Sequence, residues 1–457
     1  MLTSTRLFRA MLLGAPFLLF ATTTQATEVD LDTSDVKAGG TPMANLIRIP
    51  PERVQVTDNI YFVSGLANVF LVNTPDGSIV IDTGFAHQAP AQMALLKEVL
   101  TGPVKYIFLP QGQHDDIGGI PLIAEEGTQI IMTRNTMEYM EQRAKAKAFL
   151  APRYAALYSW APQLQQKASA RTKKANPFPY EPITPDVLVE DETGYKFTLG
   201  GMQFEVISLP GAEGINSAGL WLPKEKILFT GGGSVGPDFP MWPNIGTVRS
   251  DRNRILTKYI DTINTMIELE PEMLLTGQNH LVTDKDEIMA GLLLLRDAAV
   301  HVHDQIWEGL SSGKDVYELA REIKLPESMA GLNQQHGRVE WTVRETVAQT
   351  GAWFPYRYTS ELYPYRPHEI YPELVKMAGE KNVLASARKM LKEGELEKAL
   401  MMVEAILEAN NTSKPALEFQ IDVLQALLTR AKATYNTFSE VAWLQGQIGL
   451  AQSKLTH

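Results

Sequence analysis

Over the first 290 positions the apolar residues fall in short runs, separated by turn residues. Ile60–Val63, Asn68–Val72 and Ser78–Ile81 read as strands, with the hairpin signal Pro75-Asp76-Gly77 between the last two. After Asp82-Thr83-Gly84 the spacing becomes helical. Met93, Leu96 and Val99 share one face of a helix expected over roughly 88–100. Val104–Leu109 is a short, mostly apolar run, expected as a buried strand, and Thr128–Met132 reads as another strand. A helical region follows over about 135–166, interrupted at Pro152 and Pro162. The sequence then repeats the scheme. Tyr195–Leu199, Gln203–Ile207, Ala218–Leu222 and Ile227–Thr230 read as strands, 251–269 as a helix and Met273–Leu275 as a strand. Two rounds of hairpins and helices predict an α/β domain of two facing sheets with helices outside.

Beyond Asp286 the pattern is helical throughout. Ile288–Leu310 and Lys314–Ile323 are helices, the second ending before Pro326, and 353–371 is an irregular aromatic stretch. Val383, Leu384, Ala387 and Leu391 share a face, as do Leu396, Ala399, Leu400, Val403 and Leu407, and then Leu417, Leu424 and Leu428. These are antiparallel helical pairs, resembling tetratricopeptide-type hairpins. They are too few for a free-standing solenoid, so a second subunit is expected to pack on them.

Composition adds limits. The chain has 457 residues and a net charge of −11, which disfavours nucleic acid bound through its phosphates. Arg6 and Arg9 precede an apolar stretch from Ala10 to Ala21 and then Thr24-Gln25-Ala26. This reads as a secretory signal over 1–26, cut after Ala26, followed by an extended arm over 27–52. No later segment is long and apolar enough to span a bilayer, so a periplasmic or secreted protein is expected. Cysteine is absent, which removes disulfides and thiolate metal sites.

The chemistry gathers in loops at strand ends. Leu109–Gly119 carries Gln111, Gln113, His114, Asp115 and Asp116. Pro210-Gly-Ala-Glu213, Gly231-Gly-Gly233, Asn244-Ile-Gly-Thr-Val-Arg249 and Thr276-Gly-Gln-Asn-His280 follow. Read through these loops, the chain resembles the alkyl sulfatase branch of the metallo-β-lactamase superfamily. Leu109–Gly119 has the frame of its His-x-His-x-Asp-His loop, and Pro210–Glu213 resembles its Pro-Gly-x-Glu turn. Asn244–Arg249 resembles its Asn-x-x-Thr-x-Arg run. Val302–Gln305 with Ile323–Pro326 resembles its helical linker, and the last helices its dimerisation domain. The resemblance spans roughly 53–451. It implies an αββα sandwich over 53–290, then an all-α linker and dimerisation domain over 291–457, assembled as a homodimer. The family's usual third, sterol-carrier-like domain is not expected in this chain.

The resemblance also implies a pair of zinc ions and sulfate-ester hydrolysis, and here this sequence departs from it. Of seven ligand positions, Asp115 and Glu213 match. Gln111, Gln113 and Asp116 replace histidines, Gly232 replaces the bridging glutamate and Gln278 the last histidine. Carboxamide oxygen is a poor substitute for imidazole on zinc, so a zinc pair is not expected. Three alternatives stay open. Asp115, Asp116 and Glu213, with Gln111, Gln113 and Gln278, suit a single hard cation such as Ca²⁺, Mg²⁺ or Mn²⁺. The same groups can form a metal-free, hydrogen-bonded pocket that binds a small anion without catalysis. Asp115, Asp116, Glu213 or His280 can instead act as acid or base in hydrolysing a small anionic ester. Arg249 and Asn244 are the expected grip on the anion, as the resemblance implies and a planar guanidinium fork suits. Tyr154, Tyr158 and Trp160 line a cleft or pack in a core, with Tyr158 the substrate-side choice. His301 and His303 read as packing or surface residues. His87, His336 and His368 have no visible partners in the sequence.

Overall fold

The computed structural model describes residues 50–158, 166, 169–170, 180–249, 254–278, 280–351, 354 and 357–456. The leader, most of the arm, Trp160 and the basic residues Lys167, Arg171, Lys173 and Lys174 lie outside them.

A seven-stranded sheet runs in sequence order: β1 (Arg53–Gln55), β2 (Ile60–Val63), β3 (Val69–Thr74), β4 (Gly77–Ile81), β5 (Val104–Phe108), β6 (Gln129–Thr133) and β7 (Val187–Val189). Pairing is antiparallel from β1 to β4 and parallel from β4 to β7. The second sheet has five strands in the order β12-β11-β10-β9-β8. They are β8 (Tyr195–Leu199), β9 (Met202–Ser208), β10 (Ala218–Leu222), β11 (Ile227–Gly231) and β12 (Met273–Thr276). The sequence pattern did not single out β1 or β7, which are only three residues long.

The continuous apolar runs are explained by burial on both faces. Phe70, Val72, Ile79, Ile81, Phe108, Leu220 and Phe229 fill the space between the sheets. Their neighbours Val69, Leu71, Val80 and Ile107 face outward onto α1 (Ala89–Lys97) and α3 (Arg134–Lys145), which cover the first sheet. Trp221, Leu228 and Leu274 face α5 (Leu256–Leu269) and α6 (Lys285–Ser311) on the second. A one-residue slip in any of these strands would exchange its two core faces. The short α2 (Ile120–Ile123) follows the polar loop, and α4 (Lys147–Leu157) follows α3. The break between α3 and α4 falls at Ala146, not at Pro152, which sits inside α4.

Asp284 caps α6 by accepting from the Asp286 and Glu287 N–H groups. The rest is α7 (Val316–Glu322), α8 (Val339–Gly351), α9 (Tyr371–Ala378), α10 (Glu380–Lys392), α11 (Leu396–Ala409), α12 (Lys414–Ala433) and α13 (Phe438–Thr456). Helices α10 to α13 share their own core around Ala387, Val403, Ile406, Phe419 and Val441. No helix among the described residues is long and apolar enough to cross a membrane.

Candidate functional site

Two loops of the first sheet build one side of the site. At the end of β4, Asp82 adopts a left-handed backbone (φ 66°) and its Oδ1 accepts from the N–H groups of Thr83 (2.6 Å) and Gly84 (2.9 Å). Thr83 donates from its N–H (2.9 Å) and its hydroxyl (2.8 Å) to the Asp116 carbonyl. Gly118 donates to the Gly84 carbonyl at 2.8 Å, and a Cβ at 118 would stand 2.2 Å from the Ala86 nitrogen, so this close approach requires glycine. Asp116 Oδ2 accepts from the Gln113 N–H at 3.1 Å. These contacts bring Asp82 and Asp116 together, with Asp115 beside them. Burial pushes the Asp82 carboxyl up to about 8. Burial, reinforced by Asp82 and Asp115, holds Asp116 well above the usual range. Asp115 lies deep but keeps part of its surface accessible. It too is raised, by burial and then by Glu213, against the pull of Arg249 and Arg143. All three carboxyls on this side are therefore shifted upward, chiefly by burial.

The opposite balance holds around Glu213. The turn after β9 is laid on the glycine loop after β11, with the Glu213 N–H donating to the Gly233 carbonyl at 2.7 Å. Arg249 Nη2 and Arg254 Nη2 donate to Glu213 Oε2 at 2.9 and 3.1 Å, and His336 Nε2 lies 2.7 Å from Oε1. Burial alone would raise this carboxyl. Arg254, His336 and Arg249 outweigh it and hold Glu213 down to about 2. Arg254 is 1% exposed and also donates to the carbonyls of Ala212 and Asn244, both at 3.1 Å. The Asn244 amide oxygen faces Arg249 Nη2 (3.0 Å) and Arg254 Nη1 (3.2 Å) in the orientation its neighbours demand. Arg249 Nη1 donates to the Tyr158 hydroxyl at 3.1 Å.

Residues 64–278 match the metallo-β-lactamase superfamily model, and residues 315–443 match the model for alkyl sulfatase dimerisation. The chain joins a metallo-β-lactamase superfamily domain to an alkyl sulfatase dimerisation domain. It is 23% identical over 334 residues to a linear primary-alkylsulfatase of Pseudomonas sp. (strain ATCC 19151), covering 69% of this chain and 62% of that one. A second linear primary-alkylsulfatase, from Pseudomonas sp., is 21% identical over 401 residues, covering 83% and 58%. The chain thus spans about three fifths of the length of these curated relatives. The stereoselective inverting sec-alkylsulfatase Pisa1 from Pseudomonas sp. superposes with a TM-score of 0.74 at 19% identity, over 90% of this chain and 67% of that one. A double mutant of the same sec-alkyl sulfatase gives 0.75 at 20% identity, over the same shares. The αββα sheet domain followed by a helical dimerisation domain is therefore this chain's architecture.

In this metallo-β-lactamase-type domain the predicted site residues separate into two groups. Asn244, Arg249, Tyr158 and Glu213 converge on one hydrogen-bonded cluster. Gln111, Gln113, Asp115, Asp116 and Gln278 form the other, where Gln278 Nε2 donates to Asp115 Oδ2 at a long 3.4 Å. Gln111 and Gln278 pack beside Gly232. His280 pairs with Asp238 through Nδ1 at 3.3 Å. His114 packs on Tyr180, at 4.8 Å between ring centroids. His368 packs on Tyr371 at 5.4 Å, and both line a cavity of about 430 Å³ on the helical domain, away from Glu213, Arg249 and the Gln111 loop.

The residues do not fit a zinc pair. Both Glu213 oxygens are committed to guanidinium and imidazole groups, and carboxamides stand at the imidazole positions. Among the described residues no three or more His, Asp or Glu side chains are disposed to hold a metal ion. Glu213 is paired with Arg249, Arg254 and His336, and Asp115, which feels the charges of Glu213 and Arg249, meets Gln278.

Sequence reasoning missed three members. His336 was read as having no partner set, yet it meets Glu213. Its segment is carried there by the Trp242 N–H bond to Asn333 O (3.0 Å) and by Gly337, where a Cβ would lie 2.1 Å from the Pro243 carbonyl. Arg254, five residues beyond Arg249, and Asp82 were not singled out. The polar run Asn333-Gln-Gln-His336 ahead of a helix was the available signal for the first.

Proposed function

We propose that this alkyl-sulfatase-like protein binds a small sulfate-ester-like anion at Arg249, Arg254, His336, Asn244 and Tyr158, and that it is not a dinuclear zinc sulfatase. One observation carries the reading. Two nearly fully buried guanidiniums and an imidazole share a single carboxylate, Glu213. The cluster holds a surplus of positive charge, and a buried surplus favours binding of an anion. The adjoining Asp82, Asp115 and Asp116 carboxyls are all pushed up by burial, which weakens their offset of this charge. Arg249 offers a planar fork that suits the tetrahedral face of a sulfate group, and Asn244 sets its plane. We further propose export of the mature chain after Ala26. We also propose a homodimer through the helical domain, whose exposed Tyr363, Tyr365, Met377, Met401 and Leu450 support an apolar interface.

The test is calorimetric titration with sodium sulfate and with hexyl sulfate. The wild-type protein is expected to bind both, and Arg249→Ala to lose tenfold or more in affinity, about 1.4 kcal/mol. Equal binding by the variant would overturn the assignment. Two zinc ions per chain by plasma mass spectrometry would overturn the metal reading.

A further inference from the structure

We infer that the head of the last helix, Phe438 above all, is a positioning element for the anion site, so that the dimerisation domain also completes that site within one chain. The inference rests on the anion reading above. Two side chains that meet the Glu213–Arg249 pair come from segments far apart in sequence, and both are fastened to residues 437–440. The first is Tyr158. It closes α4, and its ring packs on Phe438 at 5.4 Å and on Tyr154 at 5.9 Å while its hydroxyl accepts from Arg249. Helix α13 packs along α4 closely enough that a Cβ at Gly446 would lie 3.0 Å from the Ala156 carbonyl. The second is His336. The Phe438 N–H donates to the Gln335 carbonyl at 2.7 Å, and the Thr437 hydroxyl donates to the Gln334 carbonyl at 2.7 Å. Arg338 completes the clamp by an ion pair with Glu440. Thr437 is fully buried and Phe438 is 5% exposed, so these are fixed contacts. Anion recognition by a guanidinium and an imidazole depends on placement within a fraction of an ångström. Residues that hold both partners therefore tune affinity without touching the anion.

The experiment compares full-length wild type, Phe438→Leu, Phe438→Tyr and Thr437→Val. Each is titrated with sodium sulfate and hexyl sulfate, alongside thermal melting and molar mass by light scattering. Phe438→Leu keeps an apolar core residue but removes the ring. It is expected to weaken hexyl sulfate about fivefold or more, and sulfate less, while mass and melting stay near wild type. Phe438→Tyr is expected to recover most of the loss, which a merely structural role would not predict. Thr437→Val, which releases Gln334 and leaves the rings, is expected to weaken both anions together. Wild-type affinities in Phe438→Leu and Thr437→Val would overturn the inference while leaving the anion reading intact. Failure of the wild type itself to bind either anion would overturn both.

Discussion

Two groups of buried carboxyls sit side by side in this protein, and they have opposite chemistry. Asp82 and Asp116 face each other and backbone N–H groups, with burial as the dominant influence, and both are pushed up. Glu213 is as deeply buried, yet two arginines and a histidine hold it down to about 2. The residue type does not decide the charge state; the neighbours do. Here one group is acid-like and the other is the counter-ion of a cationic pocket.

The comparison can be broken most forcefully at Glu213. Glu213→Gln leaves Arg249 and Arg254 buried without their counter-charge. It is expected to destabilise the fold by roughly 3–5 kcal/mol in urea denaturation. Adding Arg249→Met should recover part of that loss; no recovery would mean that Glu213 acts by packing alone. The pH dependence carries the same contrast with its sign. The Glu213 carboxyl lies below its ordinary 4.5, so its contribution is present above that pH and is lost as pH falls toward 2. Asp82 lies above its ordinary 3.8, so its neutral form favours the fold below that pH. That advantage is lost as pH rises through about 8. Asp82→Asn is accordingly expected to flatten the decline of melting temperature between pH 5 and 9. An unchanged slope would remove Asp82 from the account. The smallest effect belongs to Gln278→Ala. It breaks one 3.4 Å contact to Asp115 and should cost less than about 1 kcal/mol at constant pH. A larger loss would show that the carboxamides had taken over a structural duty at the former ligand positions.

Much of the architecture was legible from periodicity. Strands β2 to β4 and the hairpin at Asp76-Gly77 fall where short apolar runs and turn residues placed them. The three-residue β1 and β7 are too short to leave a pattern, and α8 and α9 were not singled out. Its buried positions Val339, Thr342, Val343 and Thr346 give α8 a face that mixes threonine with valine. The cut between α3 and α4 was assigned to Pro152 because proline interrupts helices; here the helix tolerates it and the chain turns at Ala146.

The site divides along the same line. The primary sequence by itself determined the loop frame, the residues Gln111, Gln113, Asp116 and Gln278 where the resemblance implies histidines, and the presence of Asn244 and Arg249 five residues apart. These are local facts, carried by spacing along one stretch of chain. Only the tertiary structure decided that Glu213 belongs to Arg254 and His336 and not to Asp115 and Asp116. That pairing joins positions 41 and 123 residues apart, through contacts that no periodicity encodes. It is decided by charge neutralisation in a dry interior, where a carboxylate is stable beside whichever cation the fold brings within hydrogen-bonding distance.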